Sequence, residues 1–174
     1  MKVIKMKIIF LDVDGELTYE EYKNSDTANI DIEKVKLLKE ICDSTGAKVV
    51  ISSSWRGSEE FTPRIYYTLR NILDRNGIEV LGDTPYIRIE MADKASDTIK
   101  LDGMDIKFKY GTGRAAEIQK YINEHNVERF VILDDDDWQW SDYGYQDNWV
   151  QPTWFGNGGL KREHVDLAIK ILDA

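Results

Sequence analysis

A single cysteine, Cys42, in 174 residues excludes an internal disulfide framework and fits a reducing compartment. Histidine is nearly as scarce. His125 and His164 have no companion at metal-ligand spacing, which leaves them as surface or capping residues. No apolar run approaches the roughly 20 residues that span a bilayer, so no membrane association is expected. Near the N-terminus, Lys2, Lys5 and Lys7 interrupt every apolar stretch. With no signal-peptide core there, a cytoplasmic location is expected. Basic residues are also in deficit: 23 Lys and Arg against 32 Asp and Glu, a net charge of −9. This balance argues against broad, non-specific nucleic-acid binding, which relies on cations neutralising phosphates. A local basic groove stays open, and a surplus of carboxylates suits a protein that holds a divalent metal.

What the chain does contain is a regular alternation of elements. Its length suits one domain, 1–174, and no repeat, low-complexity tract or interdomain linker interrupts it. A first strand (about Val3 to Leu11) ends in Ile8-Ile9-Phe10-Leu11, apolar at every position. Such a run marks a strand buried on both faces, as in a parallel sheet. A helix near Asp31–Ser44 places Ile32, Val35, Leu38, Ile41 and Cys42 on one face and stops at Gly46. Ala47–Ile51 is a second strand. Thr62-Pro63 has the form of an N-cap with proline in the first turn, opening a helix that ends at Asn76-Gly77. Ile78–Leu81 is a third strand. This order predicts right-handed crossovers and a parallel sheet. Residues 84–110 depart from it, because Thr98–Leu101 and Met104–Tyr110 flank Asp102-Gly103, a strong hairpin signal. A helix near Arg114–Glu124 and a fourth strand, Phe130–Leu133, resume the pattern. A short fifth strand near Trp149–Gln151 and a helix over about Arg162–Leu172 close it.

Three of these strands end in residues that carry chemistry. Asp12 and Asp14 follow the first, Ser52 the second, and Asp134-Asp135-Asp136-Asp137 the fourth. In a parallel sheet these ends share one edge, where ligands bind in open α/β folds. Facing carboxylates repel unless a cation lies between them, and oxygen-only ligands favour a hard ion such as Mg²⁺. Magnesium shares its carboxylates with substrate phosphates, and an aspartate can attack phosphorus through an aspartyl-phosphate.

With Phe10-Leu11-Asp12-Val13-Asp14-Gly15 and Val131-Ile132-Leu133-Asp134-Asp135, the chain resembles the haloacid-dehalogenase (HAD) superfamily of phosphatases over essentially its whole length. Val50-Ile51-Ser52-Ser53-Ser54-Trp55-Arg56, Gly113-Arg114-Ala115-Ala116-Glu117-Ile118 and Gly158-Gly159-Leu160 resemble one branch, the HAD domains of "Swiss army knife" RNA-repair proteins. The resemblance implies a HAD-like Rossmannoid α/β fold, a parallel sheet flanked by helices with a small β-hairpin insertion instead of a large cap. It implies Asp12 as nucleophile and Asp14 as general acid and then base. Ser52 would bind the phosphoryl group. Mg²⁺ would be held by Asp12, the backbone carbonyl of Asp14 and Asp135, with Asp134 or Asp136 as substitutes or as supports behind the ligands. Two positions depart from the superfamily. Arg114 stands where a lysine is usual, with Lys107 or Lys109 as alternatives, and Glu16 replaces a small or apolar residue.

The implied activity is phosphomonoester hydrolysis, acting on a phosphorylated small molecule, a nucleotide or a nucleic-acid end. Phosphotransfer to an acceptor other than water is an alternative, as is a non-catalytic binding module. Trp138, Trp140, Tyr143, Tyr145, Trp149, Trp154 and Phe155 make the loop after the fourth strand unusually aromatic. They either pack that loop on the body, form a dimer contact, or offer rings for base stacking.

Overall fold

A computed structural model of the chain describes residues 4–56, 63–87, 98–101, 104–107 and 113–174. In chain order the strands and helices are β1 (Met6–Leu11), α1 (Ile32–Thr45), β2 (Lys48–Ile51), α2 (Pro63–Arg75), β3 (Val80–Asp83), β4 (Thr98–Leu101), β5 (Met104–Lys107), α3 (Arg114–Glu124), β6 (Val127–Leu133), β7 (Trp149–Val150) and α4 (Arg162–Asp173). Five strands form one parallel sheet, ordered β3-β2-β1-β6-β7. The order runs outward from β1 to β3, then reverses, and β6 takes the other side of β1. That reversal makes the gap between the ends of β1 and β6 the topological switch point, where such sheets bind ligands.

Period-two alternation along β1 explains its continuous apolar run. Ile9 and Leu11 point into a core with Val49 and Ile51 of β2, Val35 and Leu38 of α1, and Val165 and Ala168 of α4. Ile8 and Phe10 point to the opposite face, onto Ala115, Ile118 and Tyr121 of α3 and onto Trp140. The four residues Ile8 to Leu11 are wholly buried. Removing a ring such as Phe10 from this layer costs about 3–5 kcal/mol.

Local signals hold where a cap fixes them. Asp31 caps α1 by accepting a hydrogen bond from the Glu33 N–H at 2.9 Å, and Gly46 ends it at φ 73°. Both histidines are end residues. His125 follows α3 and stacks on Tyr121, while His164 Nδ1 accepts from the Lys161 N–H at 3.0 Å at the start of α4. Cys42 is half-buried against the aliphatic core.

Three boundaries differ from expectation, the first being β1, which begins at Met6 with Ile4 and Lys5 outside the strand. The third strand lies two residues later, because Ile78 is spent closing the turn out of α2, its N–H donating to the Leu73 carbonyl at 3.0 Å. Strand β6 starts earlier, at Val127, since Glu128 and Arg129 face solvent and conceal the strand from an apolar reading. The hairpin insertion is present: β4 and β5 pair antiparallel as a separate two-stranded sheet. Its Asp102-Gly103 turn, the Thr62 cap and Lys109 lie outside the described residues. Among the described residues, no helix is long and apolar enough to cross a membrane.

Candidate active site

Each central strand carries its ladder one residue past its end. The Asp12 N–H donates to the Leu133 carbonyl at 2.9 Å, the Ser52 N–H to Leu11 at 2.8 Å, and the Asp134 N–H to Val150 at 3.3 Å. Asp12, Ser52 and Asp134 therefore stand side by side on one edge. All three are buried, at 7%, 2% and 1% exposure.

Asp12 sits at the centre of the site. One carboxylate oxygen accepts from the Val13 N–H at 2.8 Å, and the other lies 3.2 Å from the Arg114 guanidinium. Arg114 bridges onward to Asp134 at 3.0 Å and lies over the Trp138 ring, 4.4 Å from its centroid. Burial raises the Asp12 pKa, opposed by Arg114 and by a hydrogen bond from Ser53. For Arg114 itself, burial disfavours the charge, yet Asp12 and Asp134 outweigh it and raise its pKa. Arg114, expected where a lysine is usual, lies between Asp12 and Asp134. Of its lysine alternatives, Lys107 ends β5.

Asp14 is held apart. Thr18 Oγ1 donates to one of its oxygens at 2.7 Å and Trp55 Nε1 to the other at 2.9 Å. Its carboxylate is committed to this seat two residues beyond Asp12, where a general acid would stand. Asp134, expected as a substitute metal ligand, is occupied otherwise. One oxygen takes Arg114, and the other accepts from the Asp136 N–H at 2.9 Å and Trp138 Nε1 at 3.2 Å.

The acids left to face one another are Asp12, Glu16 and Asp135, whose nearest oxygens lie within 4.8 Å. Gly15 allows this approach. It has φ +98°, and a Cβ there would fall 2.4 Å from Asp135 Cγ. Two carboxylates at 4.8 Å repel by roughly 3–4 kcal/mol at an effective dielectric of about 20. Burial and then Asp12 push Asp135 up to about 6. Burial, then repulsion from Asp12, Asp134 and Asp135, puts Glu16 well above the usual carboxylate range. An all-oxygen donor set under such repulsion fits a hard divalent cation such as Mg²⁺. The fit is sharpened by Glu16, whose two buried oxygens have no hydrogen-bond partner.

Above these groups opens a cavity of about 500 Å³, lined by Asp12, Asp14, Ser54, Arg114, Asp135, Asp136, Trp138, Trp154 and Phe155. Its serine is Ser54. Ser52, the expected phosphate contact, has a buried hydroxyl without a partner and does not line the cavity. The aromatic loop divides in the same way. Trp140 is fully buried on the α3 side of the sheet, with Trp138, Tyr143, Tyr145 and Trp149 packed around it. Packing accounts for Trp140, Tyr143, Tyr145 and Trp149, while Trp138 also lines the cavity. Trp154 and Phe155 are different: they reach the cavity, and Phe155 is 74% exposed.

A buried pair behind the site escaped the sequence reading. Arg56 spans to Glu117 at 3.1 Å, with both residues almost wholly enclosed. Its Nε also donates to the Ser53 carbonyl at 2.7 Å, tying the loop after β2 to the first turn of α3. Both residues fall inside segments that carried the family resemblance, which was the available signal. For Glu16 the only signal was an acid where an apolar residue is usual.

The sheet order, the acids at its switch point and the buried arginine define a HAD-like α/β domain, phosphatase-like at the coarse level. Residues 8–165 match the family described as the HAD domain in Swiss Army Knife RNA repair proteins, and the chain belongs to that family. No curated protein matches the chain at a significant level.

Proposed function

We propose that residues 1–174 act as one domain, a Mg²⁺-dependent phosphomonoester hydrolase working through Asp12. The observation that carries this reading is the division of labour among the acids. Asp12 is paired with Arg114, Asp14 is held two residues away by Thr18 and Trp55, and Glu16 and Asp135 crowd Asp12 where a cation would sit. In the first step an Asp12 oxygen bonds to phosphorus as the bond to the leaving oxygen breaks, and Asp14 gives that oxygen its proton. In the second, Asp14 takes a proton from water, whose oxygen attacks phosphorus and releases inorganic phosphate and free Asp12. Asp12, the Asp14 carbonyl and Asp135 would hold Mg²⁺, which when bound would offset the charge of an anion attacking an anion. Arg114 and a serine of the loop after β2, Ser52 or Ser54, are the candidates for binding phosphoryl oxygens.

The substrate we favour is a nucleotide or a nucleic-acid end. Trp154 and Phe155 support it, because their loop is pinned while both reach the cavity, Phe155 with its ring exposed and Trp154 with Lys23 Nζ 5.4 Å from its ring centroid. The Glu20 N–H donates to the Trp154 carbonyl at 2.8 Å, and the Glu21 N–H to Gly156 at 3.1 Å. The repair setting in the family's description agrees with such a substrate. The lone thiol of Cys42 suits a reducing cytoplasm.

The test is phosphate release from an aryl phosphate, a nucleotide panel, a phosphosugar and end-phosphorylated oligonucleotides, with Mg²⁺ and with EDTA. Magnesium-dependent release by wild type, absent in Asp12→Asn, is the expected result. Release that survives in Asp12→Asn would reject the nucleophile, and equal use of phosphosugar and nucleotide would reject the substrate class.

A further inference from the structure

Glu16 is an anomaly among the buried acids. Its side chain is fully enclosed, and neither carboxylate oxygen has a hydrogen-bond partner. Asp134, equally buried nearby, is fully engaged by Arg114, the Asp136 N–H and Trp138. A buried carboxylate with no donor is costly enough that a protein rarely keeps one without a ligand for it. Nor is Glu16 loosely placed. Its N–H donates to the Val13 carbonyl at 3.2 Å, and its own carbonyl accepts from the Leu160 N–H at 2.9 Å. The turn that fixes it also passes under Asp135 at Gly15, where no side chain would fit. One of its free oxygens thus lies within 4.8 Å of a carboxylate oxygen of Asp12 and of Asp135.

We propose that Glu16 is a direct ligand of the divalent cation, so that Asp12, Glu16 and Asp135 form a three-carboxylate seat that loads metal before the phosphate arrives. This rests on the metal-dependent reading above and extends it. Magnesium sites built on one or two carboxylates complete their shell with substrate phosphate. A third carboxylate supplies the missing charge from the protein itself. With Asp134 held by Arg114, which also reaches Asp12, the seat offers three carboxylates to a divalent ion.

The probe is Mn²⁺, a hard ion that takes the same oxygen ligands. It is titrated into phosphate-free protein while the paramagnetic resonance signal of free Mn²⁺ is followed, and melting temperatures are recorded with and without it. Wild type is expected to show a saturable site. Glu16→Gln and Glu16→Leu are expected to lose more than about tenfold in affinity, beyond what removal of an outer-sphere partner alone commonly costs at its lower end. Without Mn²⁺ both variants should melt above wild type, because the stranded carboxylate is gone; saturating Mn²⁺ should reverse that order. If both variants bind Mn²⁺ as wild type does while Asp12→Asn is weakened, the role of Glu16 is overturned and the metal site stands. A wild-type site that fills only when inorganic phosphate is added would overturn loading before substrate. No binding by wild type under either condition would overturn the metal-dependent reading as well.

Discussion

Arg56 and Arg114 are both buried and both paired with acids, yet the first sits in a closed network and the second in an open one. Arg56 meets Glu117, Thr84 Oγ1 at 2.7 Å and the Ser53 and Pro85 carbonyls, while the second Glu117 oxygen accepts from the Ile87 N–H at 2.8 Å. Arg114 meets Asp12 and Asp134 but leaves Nε without a partner. The other buried side-chain atoms lacking partners, among the described residues, are both Glu16 oxygens and Ser52 Oγ. All of them belong to the strand-end site. A scaffold satisfies its buried polar groups internally, whereas a binding site holds some in reserve for what it binds. The contrast separates two roles that composition cannot, since both regions are an arginine among carboxylates.

Substitutions in each network should therefore fail differently. The largest effect is expected for Asp12→Asn, which should lower phosphate release by roughly 10⁴-fold or more with its melting temperature held or raised. A comparable loss of fold would erase the distinction between the two networks. Next, Glu117→Ala strands Arg56 in the interior and should cost about 3–5 kcal/mol in denaturant unfolding. The paired change Arg56→Met with Glu117→Leu should recover much of that stability, and failure to do so would mean the network does more than satisfy itself. Phe155→Ala should leave stability within about 0.5 kcal/mol, as befits a side chain 74% exposed. Its transition-state binding of nucleotide substrates should weaken by about 1–3 kcal/mol, read as kcat/KM, with a phosphosugar unaffected.

The smallest effect concerns pH in the metal-free protein. Burial, then Asp12, raises Asp135 to about 6, so the fold favours its protonated form. Its contribution to stability is thus present below the ordinary carboxylate pKa and is lost as pH rises through about 6. Asp135→Asn, which cannot ionise, should gain on wild type across that interval, and added Mg²⁺ should remove the gain. Parallel stability curves for the two proteins would show that Asp135 feels no such repulsion.

The sheet was legible because its signals are local. An unbroken apolar run in β1, Asp31 and Gly46 around α1, and Asp12 and Asp14 after β1 each declare themselves within a few residues. Strand β6 was half hidden because its first residues are solvent-facing, and β7, two residues long, is defined mainly by its pairing with Ile132 and Leu133. In the site, Asp12, Asp14 and Arg114 were visible as types at suitable places. Asp135 was preferred to Asp134 on the family resemblance alone, since adjacent residues on one strand end point to different sides and only their neighbours tell them apart.

By itself the sequence determined the order of elements, the parallel sheet and the edge on which the acids gather, because hydrophobic period and capping act over one or two turns of chain. Tertiary structure alone decided which acids are satisfied and which are stranded. It brought Glu16 beside Asp135 across about 120 residues of chain, gave Asp134 to Arg114, buried Trp140 and left Phe155 at the cavity's edge. The reason is physical: the charge state and ligand capacity of a carboxylate depend on donors, distance and dielectric around it, and those are supplied by chain remote in sequence.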